Sequence, residues 1–193
     1  MKALLRLSGL IDAINASIGK FVSWLVLIAV LVSAGNAIIR KTFDVSSNAW
    51  LELQWYLFAA VFMLSSAYTL QRNEHIRIDI VSGRLSKRAR DWIDIFGHVF
   101  MLLPFVLLMV VESSPYALLS WNTQEMSSNA GGLILWPAKI LIPLAFLLLT
   151  AQAFSELVKR IAIVAGVIED TTPQHHGHAS GSDEDKTAEA SHD

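Results

Sequence analysis

Apolar residues along this chain gather into four long runs, and the charged residues fall between them. The first run, from Phe21 to Ile39, holds no charge and at a helical rise reaches about 28 Å, close to the thickness of a hydrocarbon core. The second covers 50–70, the third 92–111 and the fourth 133–154. Apolarity on every side over such lengths calls for lipid or protein all round, and in lipid a lone segment satisfies its backbone groups only as a helix. The expected fold is an all-α membrane protein with four transmembrane helices over 21–165.

The two ends read differently. In 1–20, Leu4, Leu7, Ile11, Ile14 and Ile18 recur at three- and four-residue spacing, with Arg6, Asp12 and Asn15 mostly opposite. This predicts a short amphipathic helix, either lying on the inner membrane surface or packed on the inner ends of the spans. From 166 to 193 the chain turns to His, Ser, Gly, Asp and Glu, a polar composition that reads as a disordered cytoplasmic tail. The His175-His176-Gly177-His178 cluster within it reads as solvated rather than as a metal site. Gly35-Asn36-Ala37 offers a small-x-small pattern, but the run before it exceeds the apolar region of a typical signal peptide, so the first span is expected to be retained.

Charge placement sets the expected direction. The connection between spans two and three carries Arg72, Arg77, Arg84, Lys87, Arg88 and Arg90, whereas 112–133 has no Lys or Arg. Short basic loops stay on the cytoplasmic side, which predicts that both termini are cytoplasmic. Arg40-Lys41, on the outer side, is the one dissent. The six Trp fall near predicted span ends, as interfacial anchors do. With 15 Lys and Arg against 17 Asp and Glu, the balance gives no reason to expect nucleic acid, and with no Cys, thiolate chemistry is excluded.

Ionisable groups at membrane depth are costly unless paired, so each is a candidate site. Arg40, Glu52 and Lys139 are expected at one outer level. Lys139 sits just after Pro137 in the first turn of span four, where it adds to the positive end of the helix dipole. Glu52 is the best-placed carboxylate to relieve it; the other reading is that Lys139 reaches the headgroups and Glu52 is hydrated. Asp94 and His98 are four apart and share a face of span three, as a local pair or a contact with another subunit. Above His98 no polar path continues, and one His within the spans does not make a bis-His haem site. No phosphate-binding Gly loop, metalloprotease helix or nucleophile with its base appears, so no cofactor and no catalytic residue is expected.

The order of motifs points to a family. Asn36-Ala-Ile-Ile-Arg40-Lys-Thr-Phe43 closes span one, Trp50-Leu-Glu52 opens span two, and Asn73-Glu-His75-Ile-Arg77-Ile-Asp79 follows it. Ser127-Ser128-Asn129 and Trp136-Pro137-Ala-Lys139-Ile-Leu-Ile-Pro143 come later. Over about 20–160 this resembles the small membrane subunit of the tripartite ATP-independent periplasmic (TRAP) transporters, the DctQ-like family, though many members have Ser-Pro in place of Ser128-Asn129. The resemblance implies a scaffold that pairs with a large membrane subunit. In such systems a periplasmic solute-binding protein delivers an organic anion, and the large subunit imports it on a sodium gradient. It also marks Arg40, Glu52, His75, Arg77 and Asp79 as characteristic positions, with Trp50 beside Glu52 a candidate structural or interface residue. Two other readings stay open: a small channel or carrier acting alone, and a haem-bearing anchor of a respiratory complex.

Overall fold

The computed structural model describes residues 2–44, 47–72 and 87–167, and these are helical almost throughout. Helix α1 runs Lys2–Phe43 and α2 Asn48–Gln71. Helix α3, Lys87–Gly97, passes through a π-helical turn, His98–Leu102, into α4, Leu103–Thr123; α5 is Trp136–Val164. Four stretches are long and apolar enough to cross a membrane: α1, α2, Trp92–Thr123 and α5. The chain is a multi-pass membrane protein.

The helices are longer than the apolar runs. At about 1.5 Å per residue, the 42 residues of α1 reach about 63 Å, roughly twice a hydrocarbon core. The third span likewise continues past Glu112 to Thr123, so the expected loop 112–133 shrinks to the residues between α4 and α5. The π turn has a local cause. Pro104 has no N–H for the carbonyl of Phe100 and its ring crowds that group; the Leu103 N–H instead reaches back to the His98 carbonyl.

Helix α5 is the hub, packing against α1, α2 and the α3–α4 span, while α1 and α2 pack on each other. Small residues make these approaches possible: Ala29 on α1, Ala60 and Ala67 on α2, Ala117 on α4, and Ala145, Ala153 and Ala162 on α5 are all buried. Large apolar side chains such as Trp24, Phe62 and Met101 point outward, as a lipid-facing surface requires. The helices come very close at Gly19, where an added Cβ would lie 2.6 Å from Cγ of the Tyr68 ring.

The N-terminal segment is helical as expected, but it continues span one without a break and packs against α5 rather than lying on the membrane surface. Its small and polar stripe packs inward and its apolar stripe stays outward. Ser8, Asn15, Gly19 and Val22 are buried, whereas Leu4, Leu7 and Ile14 are exposed. The reason is that α5 offers polar partners to this stripe, Gln152, Ser155 and Lys159, and a polar group without such a partner is expensive away from water. The expected disordered tail lies outside the described residues.

The Gly19 contact yields a test. Gly19→Ala should lower stability in detergent by about 1–3 kcal/mol, because the Tyr68 ring must move off α1. Thermal unfolding of the single and double variants measures it: Tyr68→Ala added to Gly19→Ala should recover part of the loss.

Candidate functional site

Polar side chains concentrate at the two ends of the bundle. At the end away from the N-terminus, Glu52 lies in the first turns of α2 and is only 3% exposed. One carboxylate oxygen accepts the Ser127 hydroxyl and, at 2.8 Å, the Asn129 side-chain amide. The other accepts the backbone N–H of Leu133 at 2.6 Å. Glu52 therefore holds three points of the α4–α5 loop, each through a hydrogen bond to a carboxylate, the stronger kind.

The loop is shaped to receive it. Gln124 takes a left-handed conformation, φ 48°, closing α4, and the loop returns antiparallel with Ser127 N–H on Leu133 O at 2.9 Å and Leu135 N–H on Glu125 O at 2.8 Å. Gly131 has φ 69°, a backbone state glycine adopts without steric cost. At Gly132 a Cβ would come within 2.6 Å of Ser127 Cβ and 2.8 Å of the Glu52 carboxylate, so a side chain would displace the clamp. Two further α2 side chains fasten the loop: the Asn48 amide donates to Ala130 O at 2.9 Å and the Tyr56 hydroxyl to Ile134 O at 3.0 Å.

Lys139 does not pair with Glu52. Its ammonium donates to Glu125 at 2.5 Å and stands 4.2 Å above the Tyr116 ring. The loop's return brings Glu125 beside the first turn of α5, while the carboxylate of Glu52 is taken up by loop donors. The ammonium answers the reversed loop, and its hydrogen bond holds the Glu125 carboxyl below its ordinary value of 4.5. Beside it, Trp121 and Trp136 meet edge to face at 4.4 Å. Arg40 is exposed and forms no hydrogen bond or ion pair among the described residues, so the expected outer triad resolves into two separate contacts. Trp50 lines an open groove of about 250 Å³ with Leu31, Val32, Gly35, Asn36 and Ile39.

At the other end a polar seam joins α1 to α5. Asn15 donates its amide to Gln152 Oε1 at 2.7 Å, and the Gln152 amide donates to Asp12 at 2.8 Å and to Glu156 at 3.0 Å. The Ser8 and Ser155 hydroxyls meet at 2.6 Å, and the Ser155 hydroxyl also lies 3.0 Å from Asp12. Lys159 bridges Asp12 at 3.1 Å and Glu156 at 2.5 Å. From α2, the Gln71 amide donates to Asp12 O at 3.1 Å. Such bonds are worth only about 0.6–1.7 kcal/mol each in membrane bundles, so the seam holds by number and by the cost of orphaning any member.

Asp94 and His98 do share a face, but the ring meets the backbone: His98 Nδ1 lies 2.8 Å from the Asp94 carbonyl. A carbonyl only accepts, so Nδ1 carries a hydrogen, and Nε2 is buried with no hydrogen-bond partner among the described residues. The Asp94 carboxylate instead faces Arg160 of α5 at 3.5 Å. His75, Arg77 and Asp79 lie outside the described residues. The seam itself escaped notice in the sequence. Its signal was Gln152 and Ser155, two polar residues at the C-terminal end of the fourth apolar run.

Together these features define a small helical membrane protein in which most buried polar groups fasten its own helices and one loop. The family model for the DctQ component of tripartite ATP-independent periplasmic transporters matches residues 28–162, and the chain belongs to that family. It is a family of transporter components rather than of enzymes. No curated protein and no solved structure gives a match.

Two outcomes test the loop. Glu52→Ala should speed hydrogen exchange at the Leu133 amide by about tenfold or more, since its acceptor is lost. The second concerns pH. A carboxyl held below its unfolded value stabilises the loop above that value, and the contribution is lost as pH falls through the lower folded-state value. Tryptophan fluorescence at Trp121 and Trp136 should therefore hold steady above pH 4.5 and change below it in the parent chain. Glu125→Gln should flatten that change.

Proposed function

We propose that the chain is the non-transporting scaffold subunit of a sodium-driven TRAP importer. It pairs with a large membrane subunit that carries an organic acid anion, and a periplasmic solute-binding protein supplies that anion. It sits in a bacterial inner membrane with both termini in the cytoplasm, its basic flanks retained there and the Glu52-clamped loop on the periplasmic side.

One observation carries the scaffold reading. Most buried polar side chains at the two ends are engaged with one another, and between them the buried positions include Val22, Ala29, Ala60, Val106 and Ala145, with Ser113 turned to its own helix at Met109 O. No chain of polar groups links the two ends among the described residues, and a solute anion or a proton needs such a chain to cross. What such a body offers is fixed shape. A partner that moves one domain against another works against an element that does not move, and α5, tied to every other span, supplies it.

Reconstitution separates this reading from a carrier acting alone. Liposomes holding the purified chain should show no sodium-dependent uptake of organic acid, while liposomes holding it with its large partner and the binding protein should accumulate the solute. Sodium-driven accumulation by the chain alone would refute the scaffold reading. Glu52→Lys should release the loop and cut uptake by the full system, leaving solute capture by the isolated binding protein unchanged.

A further inference from the structure

The third span is the least enclosed of the four: only 6% of its most apolar window is buried, against 22% for α5. Helix α4 packs on α5 along one side, through Val106, Ser113, Ala117 and Ser120, and its opposite face is open. That open face presents Leu108, Glu112, Pro115 and Leu119 at three- and four-residue steps, all exposed.

Glu112 is the anomaly on it. Tyr116 stands at the level of the Lys139 ammonium, and Glu112, four residues earlier, lies about 6 Å deeper into the bundle. No hydrogen bond or ion pair to Glu112 forms among the described residues, and Leu108 and Leu119, 57% and 63% exposed, flank it. A second acceptor sits beside it. Pro115 has no N–H to give to the carbonyl of Val111. The nearby hydroxyls do not replace it, because Ser113 turns to Met109 O and Ser114 to Val110 O. Lipid tails tolerate leucine and offer nothing to a carboxylate or an unpaired carbonyl. The exposed faces of α1 and α2 around Leu31 and Phe62 carry no carboxylate; beside Leu31 the groove holds the uncharged amide of Asn36.

We infer that the Leu108–Leu119 face of α4 is the surface on which the large membrane subunit docks, with a basic side chain of one of its transmembrane helices received by Glu112. The inference rests on the proposed scaffold role and adds to it the location and the chemistry of the contact. Truncating one member of a desolvated charge pair leaves the other buried and alone, so the pair fixes both position and depth of the partner helix.

The test uses the full chain co-expressed with its large partner. A photoreactive phenylalanine analogue is placed at Leu108 or Leu119, and at Leu31 or Phe62 for comparison. Adducts with the large subunit should form from the two α4 positions and not from the comparison positions. Glu112→Leu should lower the large subunit recovered per small subunit by about tenfold or more, and Glu112→Asp should retain most of it. Unchanged elution and thermal unfolding of the Glu112→Leu chain alone would show that its own fold is intact. Adducts arising only from Leu31 or Phe62 overturn the surface while the scaffold role stands, as do adducts only with a second copy of this chain or full recovery with Glu112→Leu. A large subunit that neither co-purifies with the parent chain nor reacts at any position overturns both.

Discussion

The structure depends on one constraint: a polar side chain held away from water must find its partner inside the protein. Gln152 shows it most plainly. Fully buried on α5, it gives its amide to Asp12 and takes the amide of Asn15, joining two helices at two points, and it also bonds Glu156 on its own helix. Around it the Ser8–Ser155 contact and the Lys159 bridges extend the same join over two turns of α1. Because apolar contacts alone discriminate weakly between helix registers in lipid, these polar matches set the register of α1 on α5. They also explain why α1 runs straight through as one helix, with its terminal extension held against α5 instead of turning onto the membrane.

The opposite end obeys the same rule with different material. There the partner of the buried carboxylate is a loop, and Glu52 draws Ser127, Asn129 and Leu133 down onto α2. Lys139 and Glu125 close the other flank. Each end is thus locked by groups that belong to different helices, and the middle is filled by small residues that bring the backbones close. A body fastened at both ends and tightly filled between them has little freedom to alternate between two shapes, which suits membership in a family of transporter components that share their work among several chains.

How much of this was legible in the sequence follows from what lipid demands. The number of spans could be read because crossing a bilayer takes about 20 apolar residues whatever the helix packs against. Facing could not, since inside and outside of a membrane bundle are both apolar and the difference lies in residue size. The first 20 residues illustrate this: an apolar stripe suits lipid and protein alike, and it is the small and polar stripe of Ser8, Asn15 and Gly19 that packs. Spacing alone does not find the partner of Lys139, because the return of the loop that carries Glu125 to it depends on backbone turns at Gln124 and Gly131. Asp94 and His98 were rightly set on one face, but the Asp94 carboxylate answers Arg160, far along the chain, and that pairing becomes visible only once α3 and α5 are side by side.

The central claim is that α1 and α5 form one rigid unit fastened by the seam, and distance between spin labels tests it most directly. The chain has no Cys, so two introduced at exposed positions, Leu4 on α1 and Ile161 on α5, would be the only labels. Double electron–electron resonance should give a single narrow distance, the same for the chain alone and for the complex with and without sodium and solute. A broad distribution, or two distances that exchange weight when sodium or solute is added, would contradict the account.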